Sequence, residues 1–392
     1  MPKGATMRLL VPVQSGLESI VKRELYALGY ENTPAENGRV FVNGELFDIA
    51  RLNVFLRCGE RVLLEVGKFA ATTFDEFFDG FYAIPWENYL KRDSKILMDG
   101  KSMLSELGAI KAMGGVAKKA IIRRLADKLG GKSLFPETGA RTVVGFFAYK
   151  NEISVTLDTS GDGLHKRGYR TLAYTAPLKE TTAASLIALS FYNPERDEKK
   201  PFADIFCGSG TLPIEAAMRA ANIAPGQNRS FDYENWDFIP KQYTTRAREE
   251  GKDGEKRFLK PDIYGADISE DAISIAKYHA KKAGVAEFIR FERADMRKFE
   301  RKDPFGVLIS NPPYGERLMQ ENEVKELYKS LGKTFRALPK WSGYFLTSFD
   351  GFERYFGKSA DRKKRLSNAN LTCSLYSYFG EKPEKTGNDF KK

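Results

Sequence analysis

Cysteine is scarce in this chain. Cys58, Cys207 and Cys373 are odd in number, lie far apart and form no CxxC pair. That excludes a disulfide framework and a cysteine-built zinc site, and it fits a reducing cytoplasm. Histidine is scarcer still. His165 and His279 stand alone, without clustered acids, so no metal site is expected, and His279 is read as lying on a helix surface. No run approaches about 18 consecutive apolar residues, and the apolar start of MPKGATMRLLVPVQSG breaks off at Gln14, which argues against a transmembrane span or a signal peptide. No repeat of about 20–50 residues is visible, so the chain is not a solenoid.

What remains is a chain of 392 residues, long enough for two or three domains, with 42% hydrophobic and 12% aromatic residues and a mean hydropathy of −0.44. Wholesale disorder is excluded by that composition. Lys and Arg number 63 against 52 Asp and Glu, a net charge of +11, which makes a polyanionic partner plausible. The excess is concentrated. Residues 111–132 carry seven cations against one acid, residues 352–368 carry six against two, and residues 165–170 read HKRGYR.

The pattern changes near residue 160. Before it, the alternating runs RVFVN, RVLLEVGKF and TVVGFFAYKNEISVTLD read as strands. They are interleaved with a helix in SGLESIVKRELYALGY and an amphipathic basic helix over 114–129, so this part is α+β. That second helix places Lys118, Lys119, Arg123 and Arg124 on a broad face opposite Val116, Ala120 and Ile121. Phe77, Phe78, Phe81 and Tyr82 read as core packing. The Gly-rich segment 158–170 reads as a linker. After it come a helix over 175–192, strands at FADIF, DIYGAD, FIRFERAD and FGVLIS, and helices at TLPIEAAMRAA, with Thr211 as its cap, and EDAISIAKYHAKKA. This alternation implies a doubly wound, mostly parallel α/β sheet. Residues 225–260 read as an insertion into it, and RLSNANLTCSLYSYF as an antiparallel hairpin closing one edge.

Two constellations carry chemistry. In DIFCGSGTLPIEAA, from Asp204 to Ala217, a strand ends in Gly-x-Gly and opens a helix, and Gly208 and Gly210 let the backbone approach a ligand closely. Asp267, ending the next strand, stands where a ribose hydroxyl pair is held. The loop reads GSGTLP and lacks the third glycine of a dinucleotide fingerprint, which points away from NAD. The second constellation is Ser310-Asn311-Pro312-Pro313-Tyr314, at the carboxyl edge of the fourth strand. Its prolines fix the backbone and remove two donors, so carbonyls face outward, and Asn311 adds an acceptor and a donor. A planar amino group fits between such acceptors while Tyr314 stacks on its ring.

Together DIFCGSGT, Asp267, Asp295 and NPPY resemble the class I S-adenosylmethionine-dependent amino methyltransferases. With LHKRGYR, APLKET and NANLTCSLYSYF added, the chain resembles the THUMP-domain RNA methyltransferases that modify N2 of guanine in 23S ribosomal RNA. The resemblance implies S-adenosylmethionine held by Asp204, Cys207, Gly208, Ser209, Gly210, Asp267, Ile268, Asp295 and Met296, with Asp295 near the adenine. It implies catalysis by Asn311, Pro312, Pro313 and Tyr314 and an RNA partner, for which the basic runs offer Lys118, Lys119, Arg123, Arg124, Lys166 and Arg167 unless they are only a solvated face; composition leads us to expect neither a metal nor a membrane. Cys207, inside the cofactor loop, is expected to pack as a small hydrophobe rather than to act as a nucleophile. The domains implied are a ferredoxin-like plus THUMP region over 1–160 with the THUMP module at about 45–157, a linker over 161–172, a methyltransferase domain over 173–385 and a tail over 386–392. Adenine-N6 methylation of DNA and glutamine methylation of protein share NPPY. A non-catalytic RNA-binding factor in ribosome assembly is the rival outside enzymology.

Overall fold

Alternation of apolar and polar residues produces the first sheet. The computed structural model describes residues 6–36, 38–130, 136–172, 178–197, 200–314, 321–368 and 371–381. It divides into one unit of residues 1–13, 21–164 and 226–251 and a second of residues 14–20, 165–225 and 252–392. In chain order the first part contains β1 (Met7–Pro12), α1 (Glu18–Ala27), β2 (Ala35–Glu36), β3 (Arg39–Gly44), α2 (Leu46–Phe55), β4 (Leu63–Ala70), α3 (Phe74–Ala83), β5 (Lys95–Met103), α4 (Ile110–Leu129), β6 (Arg141–Tyr149) and β7 (Glu152–Asp158). The seven strands form one sheet in the order β2-β3-β1-β4-β7-β6-β5. Every pairing is antiparallel except β5 with β6. On β6, Thr142, Val144, Phe146 and Ala148 point inward. Phe77 and Phe81 of α3 pack on Phe146 at ring separations of 5.5 and 6.2 Å, and α4 buries Met113, Ala117, Ala120, Ile121 and Leu125.

The second sheet is built from α/β repeats. Here lie α5 (Glu180–Leu189), β8 (Phe202–Asp204), α6 (Thr211–Ala220), β9 (Ile263–Asp267), α8 (Glu270–Ala283), β10 (Ile289–Arg293), β11 (Gly306–Ser310), α9 (Glu321–Arg336), β12 (Trp341–Thr347), α10 (Phe352–Phe356), β13 (Arg362–Asn368) and β14 (Leu371–Tyr378), with α7 (Gln242–Asp253) between α6 and β9. The strand order is β10-β9-β8-β11-β12-β14-β13. The first five are parallel and β14 is antiparallel to both neighbours. The terminal hairpin therefore forms the sheet edge as expected, while its turn at 369–370 lies outside the described residues. The order reverses between β8 and β11, and the carboxyl ends of these two strands are where a doubly wound sheet binds its ligand.

Three expectations need correction. The helix of TLPIEAAMRAA begins at Thr211 itself, and its cap is Gly210 in the left-handed region at φ 87°. The polar stretch 225–260 is not a loose insertion of the second domain, because residues 226–251 belong to the first unit and carry most of α7. Arg229 donates to the carbonyls of Gly163 and Asp162, Trp236 Nε1 donates to Arg141 O at 3.1 Å, and Asp232 pairs with Arg141. Lastly, the segment read as a linker is packed rather than solvated. Thr159, Ser160, Leu164, Arg167 and Tyr169 are all buried.

Candidate active site

Every residue of the proposed centre lies in the second unit. β8 ends at Asp204, which is fully buried. Its Oδ1 accepts from Phe206 N at 3.1 Å and from the Ser310 hydroxyl at 2.7 Å, and burial pushes the carboxyl up to about 7. Ser310 in turn accepts from Ile205 N at 3.2 Å. Ser310 thus fastens the end of β11, and with it Asn311, to the strand that opens the glycine loop.

The loop turns tightly, with Gly210 N donating to Cys207 O at 2.8 Å. Gly208 and Gly210 take φ values of 51° and 87°, a region that L side chains avoid. Asp267 closes the arrangement: Oδ2 accepts from Gly208 N and Oδ1 from Ser269 N, each at 3.0 Å. Beside it Ile268 is 65% exposed, an apolar side chain left in solvent where a flat heterocycle would cover it. Ala294 N reaches Asp267 O at 3.0 Å, which brings Asp295 to the same edge. Both Asp295 carboxylate oxygens hold the Arg297 guanidinium, and that hydrogen bonding keeps the carboxyl below its usual range.

At the other side of the loop, Asn311 Oδ1 is buried with no hydrogen-bond partner among the described residues. A buried amide oxygen without a donor costs about 1–3 kcal/mol, so the position fits a group that brings its own N–H. Pro312 is buried, and the Pro313 carbonyl accepts from the Tyr328 hydroxyl at 2.8 Å. Tyr314 is half-buried.

Some expected residues play other parts. Cys207 is buried, and burial, followed by the nearby Asp204 and Asp267, pushes its thiol up, which suits packing and not nucleophilic attack. The Met296 side chain is buried in the core, its sulfur 4.0 Å from Thr334 Oγ1, so only its backbone remains available to a ligand. Arg167 is removed from the set of RNA contacts. It is 3% exposed and its Nε lies 3.5 Å from Glu215 Oε1, an atom that also accepts from the Tyr169 hydroxyl at 3.2 Å. Glu215 sits on α6, so Arg167 and Tyr169 of HKRGYR pack against the helix that follows the glycine loop, while Lys166 is exposed. His279 is not on a surface. It is fully buried, with Nδ1 3.2 Å from Ser209 O and Nε2 accepting from Leu172 N at 3.4 Å. Because Nε2 accepts, Nδ1 carries the proton and donates to the loop carbonyl.

On α4 the basic face is partly neutralised. Lys118 donates to Ile96 O at 3.0 Å and pairs with Glu137, Arg123 pairs with Asp127 at 3.0 Å, and Arg124 grips both oxygens of Glu87. Lys111, Lys119, Arg123 and Lys128 are exposed. Sequence reasoning missed Ser310 as a fastener, Tyr328, Glu215 and His279. Only Ser310 carried a signal, its place beside Asn311. Among the described residues no group of three metal-ligating side chains is clustered, and no helix is long and apolar enough to cross a membrane.

A doubly wound sheet with a glycine loop after β8, an acid ending β9 and Asn-Pro-Pro-Tyr after β11 marks a methyltransferase of the Rossmann-like class. The model described as an RMKL-like methyltransferase domain matches residues 167–377, and that of the RlmL ferredoxin-like domain matches residues 8–63. The chain belongs to this RlmKL-like methyltransferase family. It is 38% identical over 374 residues, 95% of this chain and 96% of the other, to the Bacillus subtilis (strain 168) protein YpsC, whose name proposes an RNA methyltransferase. It is 32% identical to the ribosomal RNA large subunit methyltransferase K/L of Psychromonas ingrahamii over 94% of this chain, and it spans 49% of that longer relative. Among solved structures, a Listeria monocytogenes protein described by prediction as an N6-adenine-specific DNA methylase matches at 42% identity and a TM-score of 0.89, covering 96% of this chain and 97% of that one. SMU.472, described as a methyltransferase candidate and crystallised with S-adenosylhomocysteine, matches at 38% identity and a TM-score of 0.90, covering 98% and 100%.

Proposed function

We propose that this protein transfers a methyl group from S-adenosylmethionine to the exocyclic N2 of a guanine in RNA, with 23S ribosomal RNA as the substrate. The observation that carries the reading is the buried, unpartnered Asn311 Oδ1 at the carboxyl edge of β11, fastened through Ser310 to the glycine loop. The loop fits S-adenosylmethionine: Gly208 and Gly210 hold it in a conformation closed to side chains, Asp267 faces the ribose, and Ile268 offers the adenine an apolar surface. S-adenosylmethionine supplies an electrophilic methyl group on a sulfonium. The chain's own residues prepare the acceptor. The lone pair of a guanine amine is delocalised into its ring, and hydrogen bonds accepted by Asn311 Oδ1 and the Pro312 carbonyl localise it and aim it. Tyr314 stacks on the base and offsets part of the cost of extruding it. Catalysis here is positioning and electrostatics, with no covalent enzyme intermediate. The names of YpsC and of the K/L enzyme support RNA as the acceptor.

Incubating the protein with labelled S-adenosylmethionine and, separately, unmodified ribosomal RNA, transfer RNA, DNA and protein, then digesting each to monomers, tests substrate and atom together. Labelled N2-methylguanosine from ribosomal RNA is expected, and label in N6-methyladenine or in glutamine overturns the reading. We assign the RNA grip to the first unit as a THUMP region, with the cationic row of α4 against phosphates. Lys119→Glu with Arg123→Glu is expected to weaken RNA binding and flatten the plot of log K against log salt by about 1.4, one step of about 0.7 per lost phosphate contact on a single strand. S-adenosylmethionine affinity should not change. Arg124 is left intact because reversing it would repel Glu87. An unaltered salt slope means α4 is a solvated face only.

A further inference from the structure

Beyond Tyr314 lies a cavity of about 430 Å³ that shares only this residue with the Asn-Pro-Pro-Tyr turn. Its walls include Tyr314, Lys325 of α9, Phe349 and Asp350 after β12, and Arg354 and Tyr355 of α10. The Tyr355 ring lies 5.9 Å from Phe349. Two cations flank it: Lys325 Nζ at 5.8 Å and the Arg354 guanidinium carbon at 5.7 Å from its centroid. Half-buried rings beside the half-buried Lys325 and the exposed Arg354 make up a single-strand platform, in which a base stacks and its phosphate meets charge. Asp350 and Glu321 add carboxylates that accept from the amino edge of a base. Lys325 is half-buried and paired at 2.6 Å with the exposed Glu321, whose carboxylate can swing into solvent and leave the ammonium to an incoming phosphate.

The cavity is also joined to the catalytic turn. The Tyr328 hydroxyl donates to the Pro313 carbonyl and lies 2.8 Å from Thr347 Oγ1, which accepts from Phe349 N at 3.1 Å. A base seated against Phe349 therefore has a fixed position relative to Pro313.

We propose that this cavity binds an unstacked nucleotide of the RNA strand adjoining the one that reacts. The base stacks on the Tyr355 ring with its edge against Phe349, whose plane is inclined by 58° to it, the phosphate lies between Lys325 and Arg354, and Asp350 accepts from the base's amino group. The inference rests on RNA being the substrate, and it assigns to the second unit a share of substrate recognition that is independent of the basic helix.

Titration of hexaadenylate RNA into protein saturated with S-adenosylhomocysteine tests it. Wild type should bind. Lys325→Ala with Arg354→Ala, and separately Tyr355→Leu, should each lose about fivefold or more in affinity, since stacking on one aromatic side chain is worth about 1–3 kcal/mol. The double variant should also flatten the salt plot by about 0.7, the step for one lost phosphate contact on a single strand. Unchanged S-adenosylhomocysteine affinity shows that the variants are folded. Failure of wild type to bind, or wild-type affinity in both variants, overturns the pocket. If ribosomal RNA is still methylated in the nucleoside assay, that failure falls on the pocket alone. If RNA is not the methyl acceptor there, the functional reading itself falls.

Discussion

Asn311→Ala should lower turnover by about 10² or more, the scale set by removing a hydrogen bond made to developing charge, with cofactor affinity within about twofold of wild type. The expectation rests on the state of Asn311 Oδ1, which is buried and has no partner among the described residues. The chain thus retains a desolvated acceptor that contributes nothing to folding. Removing it should not lower stability, and Tm is expected to hold or rise slightly. That combination separates catalysis from structure, since a residue that merely packs would lose Tm and keep turnover. Single-turnover rates beside calorimetric titration of S-adenosylmethionine give the answer, and activity within a few-fold of wild type removes Asn311 from the mechanism.

Asp267→Ala should show the reverse profile, with S-adenosylmethionine affinity falling about tenfold or more and RNA affinity holding. Asp267 keeps Gly208 and Ser269 in place through one oxygen each, and loss of a charged hydrogen-bond partner costs about 1.5–3 kcal/mol. Gly210→Val should be more severe. A Cβ there would lie 2.9 Å from Ala276 Cβ and 3.2 Å from Phe291 Cζ, on a backbone at φ 87°, so the loop or α8 has to shift. Cofactor binding should fall below detection together with a drop in Tm. Calorimetric binding equal to wild type in both variants would show that the cofactor lies elsewhere.

How much was legible beforehand varied with the signal each residue carried. The strands that hold the site, β8, β9 and β11, are short, apolar and bounded by Gly, Pro or Asp, so the pattern exposed both the elements and the chemistry at their ends. α8 was read at its observed limits, because Ser269 caps it and Gly284 stops it in the left-handed region. By contrast, β5, KILMDGKSM, buries only Ile96, alternates exposed with half-buried positions beyond it and carries Asp, Gly and two Lys, and its pairing with β6 spans an intervening α4. β12, WSGYFLT, is buried throughout and so has no alternation to read. The greater misreadings concerned polar residues. Arg167 and His279 look like surface groups in sequence, because polarity reports a need for partners and not where they lie. Here the partners are Glu215, 48 residues away, and Ser209, 70 residues away. The same blindness applied to residues 225–260, whose polar side chains are spent on contacts such as Arg229 to Gly163 and Trp236 to Arg141.

The membership of residues 226–251 in the first unit also sets an order of events during synthesis. A domain completes its fold when its last contributing residue is available. The amino-terminal unit therefore cannot finish when residue 164 leaves the ribosome, because Arg229, Asp232, Trp236 and Arg248 have yet to be made. At roughly 5–20 residues per second the wait is about 4–17 s, and β8 and α6 emerge during it. The glycine loop waits longer still, for Asp267 and Ser310, so a nascent chain stalled before residue 226 would present neither the first unit nor the loop in finished form.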